Sequence, residues 1–177
     1  MTIEIENNRW EVLENTITKL RDCSTAASAI AIVHPVARQI ARADGITIVK
    51  RIGDHTDYLV EDAIEQLWAG LQFEIDKCLA GRAMTEEKTV LIPDITQVEN
   101  IPLNVYLATF IRRLIAVPLG TPRPTHAICA YWREPGQIDA ESVTLMEALC
   151  RALGAVLDMV DVTDMVAKHR LQSIAGA

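Results

Sequence analysis

Long apolar runs are missing from this 177-residue chain: none reaches the ~18 to 20 residues that a membrane-spanning helix requires. The start, Met-Thr-Ile-Glu-Ile-Glu, carries acid where a secretory signal carries base, so the chain reads as cytosolic (cytoplasmic), without membrane insertion. Basic residues are scarce, 17 against 24 acidic, which gives a formal net charge of −7 and a pI near 5.1. Binding to a phosphate backbone rests on Lys and Arg, so this balance argues against nucleic acid as a partner. Cysteine occurs only at Cys23, Cys78, Cys129 and Cys150, with no Cys-x-x-Cys spacing. A chain that is 50% apolar needs no staples, and the four read as reduced thiols.

Catalytic signatures are absent too. The run Gly81-Arg-Ala-Met-Thr-Glu-Glu-Lys-Thr89 lacks the second glycine of a phosphate-cradling loop before its Lys-Thr, and there is no Gly-x-Ser-x-Gly elbow. No carboxylate pair is marked as an acid and a base. There is no internal repeat, low-complexity tract or charged tail. What remains is one domain with enough apolar content for a core, plus an extension.

The stretch from Val90 to Trp132 organises the rest. Two strand-like runs, Arg113–Leu119 and Thr125–Trp132, are joined by a Gly-Thr-Pro-Arg-Pro turn. Before them a short strand, Thr89–Ile92, is cut off by Pro93-Asp94 and opens into a loop of about twenty residues, a length that marks functional or disordered segments. This loop carries Asn100-Ile101-Pro102 and the run from Tyr106 to Phe110, so it reads as ordered and functional.

Elsewhere, Trp10, Leu13, Ile17 and Leu20 recur at helical spacing behind Asn8 as N-cap, which predicts a helix over 9–22. Ser24 to Arg42 is helical in tendency, with a kink or break expected at Pro35 and a stop at Ala43-Asp44-Gly45. Ile46–Ile52 and Asp57–Glu61 predict a hairpin across Gly53–Thr56. Ala63–Trp68 reads as a helical turn or an irregular crossing, and Glu74–Met84 as a short helix with Ile75, Cys78 and Leu79 on one face. Asp139 is the N-cap of a long helix whose stripe runs through Leu145, Leu149, Ala152, Val156, Val160 and Val166. At ~1.5 Å per residue this helix outruns the domain, and its apolar far half favours a second chain. The order suggests an antiparallel α+β domain with helices gathered on one face.

The residues Ala43-Asp44-Gly45, Glu61-Asp62-Ala63-Ile64, Leu67-Trp68, Ile92-Pro93-Asp94-Ile95, Ile101-Pro102, Tyr106, Thr109-Phe110, Val117-Pro118-Leu119 and Ala130-Tyr131-Trp132 together resemble a GAF domain. More narrowly, they resemble the sensory GAF modules upstream of the core of bacterial sensor histidine kinases. The resemblance runs from about Ala37 to Val160. It implies a central antiparallel sheet of five to six strands, terminal helices packed on one face, and a long loop roofing a ligand pocket on the other. It further implies a homodimer through the terminal helices and a regulatory role. The corresponding division is an N-terminal helix over 1–22, a GAF domain over 23–160 and a C-terminal helical extension over 161–177.

The pocket residues expected on this basis are Asp94 at the loop mouth, Tyr106, Phe110, Arg112, Cys129 and Tyr131, an apolar set with a few polar groups. Strand alternation puts Cys129 and Tyr131 on one face and Ala130 and Trp132 on the other. Phe110 and Trp132 read first as core. Arg112-Arg113 offers bidentate contacts to an anion or, more simply, a solvated edge. Some relatives in this fold reduce free methionine sulfoxide through cysteines, but Cys78, Cys129 and Cys150 fall on apolar faces where thiols are inert, leaving Cys23 the most exposed. Covalent bilin attachment in relatives commonly uses a Cys-His pair, which is missing here. His34, His55 and His126 are the histidines open to haem ligation, each equally an ordinary surface or capping residue, and no pair has metal-site spacing. His169-Arg170 loosely matches the start of a phosphoacceptor box without its continuation.

Three readings follow. The first is a non-catalytic sensory or regulatory module of bacterial two-component signal transduction that binds a small molecule and signals to a kinase or other protein through a dimeric C-terminal helix. The second is a ligand-free dimerisation or protein-docking module whose pocket is filled by its own side chains. The third is a cysteine-dependent reductase. The sequence names no cofactor.

Overall fold

The computed structural model describes residues 2–176, with side chains from Asn8 onward. Helices α1 (Thr2–Leu20) and α2 (Ala26–Ala41) lead into the hairpin of β1 (Gly45–Ile52) and β2 (His55–Ala63). There follow β3 (Gln72–Glu74), α3 (Leu79–Glu86), β4 (Val90–Ile92), α4 (Leu103–Leu107), β5 (Arg113–Leu119), β6 (His126–Trp132) and α5 (Ala140–Ala175). The six strands form one antiparallel sheet in the order β3-β2-β1-β6-β5-β4. The α+β architecture expected from the sequence is the one observed.

Alternation along the strands sends side chains into two cores, one on each face of the sheet. On the helical face, Ile46, Ile48, Ile115, Val117, Ile128, Ala130 and Trp132 pack with Val33, Ala37 and Ile40 of α2 and Leu145, Leu149 and Leu153 of α5. Leu13 and Leu20 of α1 join this layer. On the opposite face, Val49, Tyr58, Leu114, Ala116, Ala127, Cys129 and Tyr131 lie beneath α3, α4 and the long loop. Cys129 and Tyr131 thus share one face and Trp132 occupies the other, as alternation predicts.

Several local expectations are corrected. Asn8 is not a cap: α1 begins at Thr2, since nothing in the acidic lead breaks a helix, and the Asn8 Oδ1 accepts from Gln39 Nε2 at 3.0 Å. Pro35 does not interrupt α2. The fully buried Val33, Ala37 and Ile40 anchor the helix on both sides of it, and this burial outweighs the missing N–H. The helix expected over 74–84 is split at Cys78, whose extended backbone separates a 3₁₀ turn over Ile75–Lys77 from α3. Glycine at 81 permits this junction, because a Cβ there would stand 1.9 Å from the Ile75 carbonyl oxygen. Strand β3 was unexpected: three residues carry too little pattern to read. The long loop is ordered, holding a 3₁₀ turn over Ile95–Gln97 as well as α4.

The stripe on α5 divides. Leu145 and Leu149 face the domain together with Leu153 and Leu157, whereas Ala152, Val156 and Val160 are half-buried and Val166 is exposed. No described helix is long and apolar enough to cross a membrane.

His126, at the start of β6 and opposite Lys50 of β1, is pushed down to about 4 from an ordinary 6.5, first by burial and then by the Lys50 charge. Between those values the unfolded chain binds a proton that the folded one refuses, so the stability present above pH 6.5 is lost as pH falls toward 4. We expect a loss of up to about 3 kcal/mol across this window in urea unfolding, and a shallower loss in His126→Asn.

Candidate functional site

The chamber under the long loop is built around one carboxylate. Glu61, near the end of β2, accepts the backbone N–H groups of Leu67 at 2.9 Å, Trp68 at 2.7 Å and Ala69 at 2.8 Å. Charge-assisted bonds of this kind are roughly twice as strong as neutral ones, and here they fold the irregular segment after β2 back against the sheet. Trp68 is thereby delivered beneath the loop.

Four rings meet the Trp68 indole edge to face: Tyr106 at 5.3 Å between centroids, Tyr58 at 5.5 Å, Phe73 at 5.9 Å and Tyr131 at 6.0 Å. Such pairs add about 0.5–1.5 kcal/mol each beyond their burial. Two of the polar ends are bonded within the layer. The Tyr106 hydroxyl accepts from Leu79 N at the first turn of α3, 3.0 Å away, and the Tyr131 hydroxyl lies 2.7 Å from Thr47 Oγ1. Burial pushes the phenols of Tyr58, Tyr106 and Tyr131 upward, so all three stay neutral.

The space left among Tyr58, Trp68, Phe73, Cys78 and Tyr106 amounts to about 10 Å³. That is at the floor of what one water needs, and far below the 300–1,000 Å³ or so of a small-molecule site. The lining is that of a ligand pocket; the volume is taken up by the protein's own rings. Roomier hollows, about 620 and 570 Å³, lie elsewhere, one along α1 and α2 and one between β5 and α5.

Of the six residues expected at the pocket, Tyr106, Cys129 and Tyr131 belong to this buried layer. Phe110 packs half-buried at its margin, near Gly45. Asp94 caps the 3₁₀ turn of the loop, accepting from Thr96 N at 2.9 Å and Thr96 Oγ1 at 2.7 Å, and these bonds hold its carboxyl below the usual range. Arg112 turns back on the backbone, donating to Thr109 O and Ile111 O. Tyr58, Trp68 and Phe73 were not foreseen as site residues. Trp68 belongs to the residues that carry the family resemblance but sits in a segment without periodicity that gives it no face, and Phe73 lies in a three-residue strand too short to read.

Cys78 and Cys129 are buried on the chamber side and Cys150 on the helical side. The Cys78 Sγ accepts from Gly81 N at 3.3 Å and lies 3.4 Å from Thr56 Oγ1. Burial pushes the Cys129 thiol up to about 12 and also raises Cys150. His34 Nε2 lies 2.7 Å from the Glu61 carbonyl oxygen, and His55 pairs with Asp54; neither these nor His126 line the chamber. Among the described residues no group of three His, Cys, Asp or Glu side chains is placed to hold a metal.

No protein-family model matches the sequence, and no curated protein matches it. Solved structures do match in shape. The GAF domain of an Acinetobacter phosphoenolpyruvate-protein phosphotransferase superposes with a TM-score of 0.73 at 11% identity, covering 88% of this chain and 96% of that one. This chain has a GAF fold. The phycocyanobilin-bound GAF domain of a cyanobacterial phytochrome gives a TM-score of 0.72 at 15% identity, over 88% of this chain and 96% of that one. The free methionine-R-sulfoxide reductase of Neisseria meningitidis, solved with its substrate, gives 0.76 at 15% identity, over 89% and 93%. One GAF fold thus serves a chromophore site in one neighbour and an enzyme in another, and identities this low carry the fold alone.

The thiols offer a direct check. With Cys129 near 12, only about one molecule in ten thousand carries that thiolate at pH 8. Titration of the native protein with a thiol reagent at pH 8 should show one fast group, the half-buried Cys23, and release the other three only on unfolding.

Proposed function

We propose that this chain is a non-catalytic regulatory GAF domain that works by dimerising and docking through its helices, with its chamber closed by its own side chains. The observation that carries this is the filled space under the loop, where four aromatic rings, Tyr58, Trp68, Phe73 and Tyr106, leave about 10 Å³. A ligand shifts an equilibrium only by binding one state better than another, and a chamber this full offers it no differential contact until Trp68 or Tyr106 moves away. Sensing of a small molecule, the other regulatory reading, has the lining in its favour and lacks the volume. A reductase needs reachable thiolates, and the chamber thiols are buried.

The output surface we assign is the outer side of α5. Ala148, Ala152, Ala155, Met159, Val162 and Val166 follow one another at spacings of four and three, the pattern of a coiled-coil seam. Met159, Val162 and Val166 are 67%, 57% and 47% exposed, and Trp10 and Ile17 of α1 flank the start of the seam. Past Val160 every described residue of the helix is exposed, over about 22 Å. A second copy seated on this seam, in the cytosol, with a kinase or another signalling protein reading the paired helices, is the arrangement we infer. Two-component signalling is its natural setting. His169 lies exposed on the same distal segment.

Native mass spectrometry tests the closed chamber: the intact mass should equal that of the chain, and a retained small molecule that leaves on denaturation would overturn the proposal. For the seam, sedimentation should show a dimer that Met159→Glu with Val162→Glu converts to monomer. An unchanged profile in that double variant would rule out this surface.

A further inference from the structure

The β5–β6 turn meets α5 close to where the helix leaves the domain. Leu157 is the final buried residue of the helix, and beyond Asp158 only Val160 is even half-buried. At this exit point the Asp158 carboxylate accepts from Thr121 Oγ1 at 2.6 Å and from Thr121 N at 3.1 and 3.2 Å. One helical turn earlier stands Gly154, where a Cβ would lie 3.1 Å from Gly120 N and 3.3 Å from Leu119 Cβ. Helix and turn therefore touch at two points four residues apart, on one face of α5: a backbone-close contact at 154 and a three-bond clasp at 158.

The same hairpin reaches into the chamber at its other end. β5 and β6 pair without interruption from Arg113–Trp132 to Leu119–His126. Tyr131, which packs on Trp68, lies at the chamber end, and Thr121 lies just past the helix end. One uninterrupted ladder joins the aromatic plug to the root of the exposed helix.

The geometry points to a conformational clasp: Thr121 on Asp158 fixes the direction in which distal α5 leaves the domain, and the β5–β6 hairpin is the element through which the chamber layer and that direction are coupled. This inference rests on the reading of α5 as the output helix. A partner or a chamber rearrangement that moves the turn would release Asp158, and the helix would then leave over a range of angles with its seam no longer held in register. Other polar ties between α5 and the body, such as Thr89 Oγ1 to Glu147 at 2.7 Å and Arg9 to Ser142 at 2.6 Å, lie nearer its start and leave the exit free.

Distances between spin labels at Asp76→Cys and Lys168→Cys, on a Cys23→Ser background and with labelled chain diluted into unlabelled chain, test it. The parent should give one narrow distance, and both Asp158→Ala and Thr121→Val should replace it with a broad or second population, whereas Thr89→Val should leave it narrow. Equal widths in the parent and both clasp variants, or equal broadening by Thr89→Val, would overturn the clasp. Circular dichroism of each variant confirms that it is folded, and Thr121→Val removes only a hydroxyl contact in case Asp158→Ala disturbs the helix. Sedimentation of the same samples reads dimerisation separately. A monomer with a clasp-dependent distance removes the dimer proposal and keeps the clasp; a dimer with a clasp-independent distance does the reverse.

Discussion

Everything in this molecule follows from a sheet that is kept from water on both faces. A strand with one wet face needs apolar residues at every second position; β6 is buried at all seven, and β1 at five of eight. Two covering layers are therefore required, and they are built differently. The helical side has long elements, α1, α2 and α5, which bring rows of Leu, Ile, Val and Ala. The other side has only α3, α4 and a loop, whose backbone is too irregular to present rows. Large rings fill it instead: of the eight aromatic residues in the chain, five converge there. Aromatic side chains bury 150–250 Å² or so apiece, so a few of them seal an area that would take many aliphatics.

Glu61 ties the two layers to each other. Its carboxylate gathers the amides of 67–69 on the loop side, while its carbonyl oxygen lies 2.7 Å from His34 Nε2 on α2. The segment it holds has no strand or helix of its own to satisfy those amides, so the buried Leu67 and Trp68 depend on this one side chain for their N–H partners. Ionic pinning of an irregular segment is what allows Trp68 to act as the hub of the aromatic layer.

Much of the fold was legible because β1, β5 and β6 are short apolar or β-branched runs bounded by turn residues, and because Asp139 caps a helical run with only one glycine and no proline in its body. The two-residue period of a strand put Cys129 and Tyr131 on one shared face before any contact was known. The misses share a cause. Pro35 obeys a local rule that burial on either side of it overrides, and the helix over 74–84 breaks at Cys78 while Ile75 N donates to Asp54 O of the β1–β2 turn, a tertiary demand. The closure of the chamber was least legible of all: it depends on which rings meet across 73 residues of sequence, from Tyr58 to Tyr131, and no spacing encodes that. Asp94 and Arg112 have the chemistry of ligand contacts, yet each is committed to backbone nearby, a choice set by loop geometry.

The sheet also ends in an unusual way. Its two outer strands, β3 and β4, are three residues long, and the part of β5 that extends past β4 contains Pro118, which has no N–H to offer. On the β4 side, an edge so short gives an incoming strand almost no row of free donors and acceptors to copy. Side-by-side growth of sheet upon sheet is disfavoured at that edge, which leaves the exposed apolar side of α5 as the surface on which the proposed dimer would form.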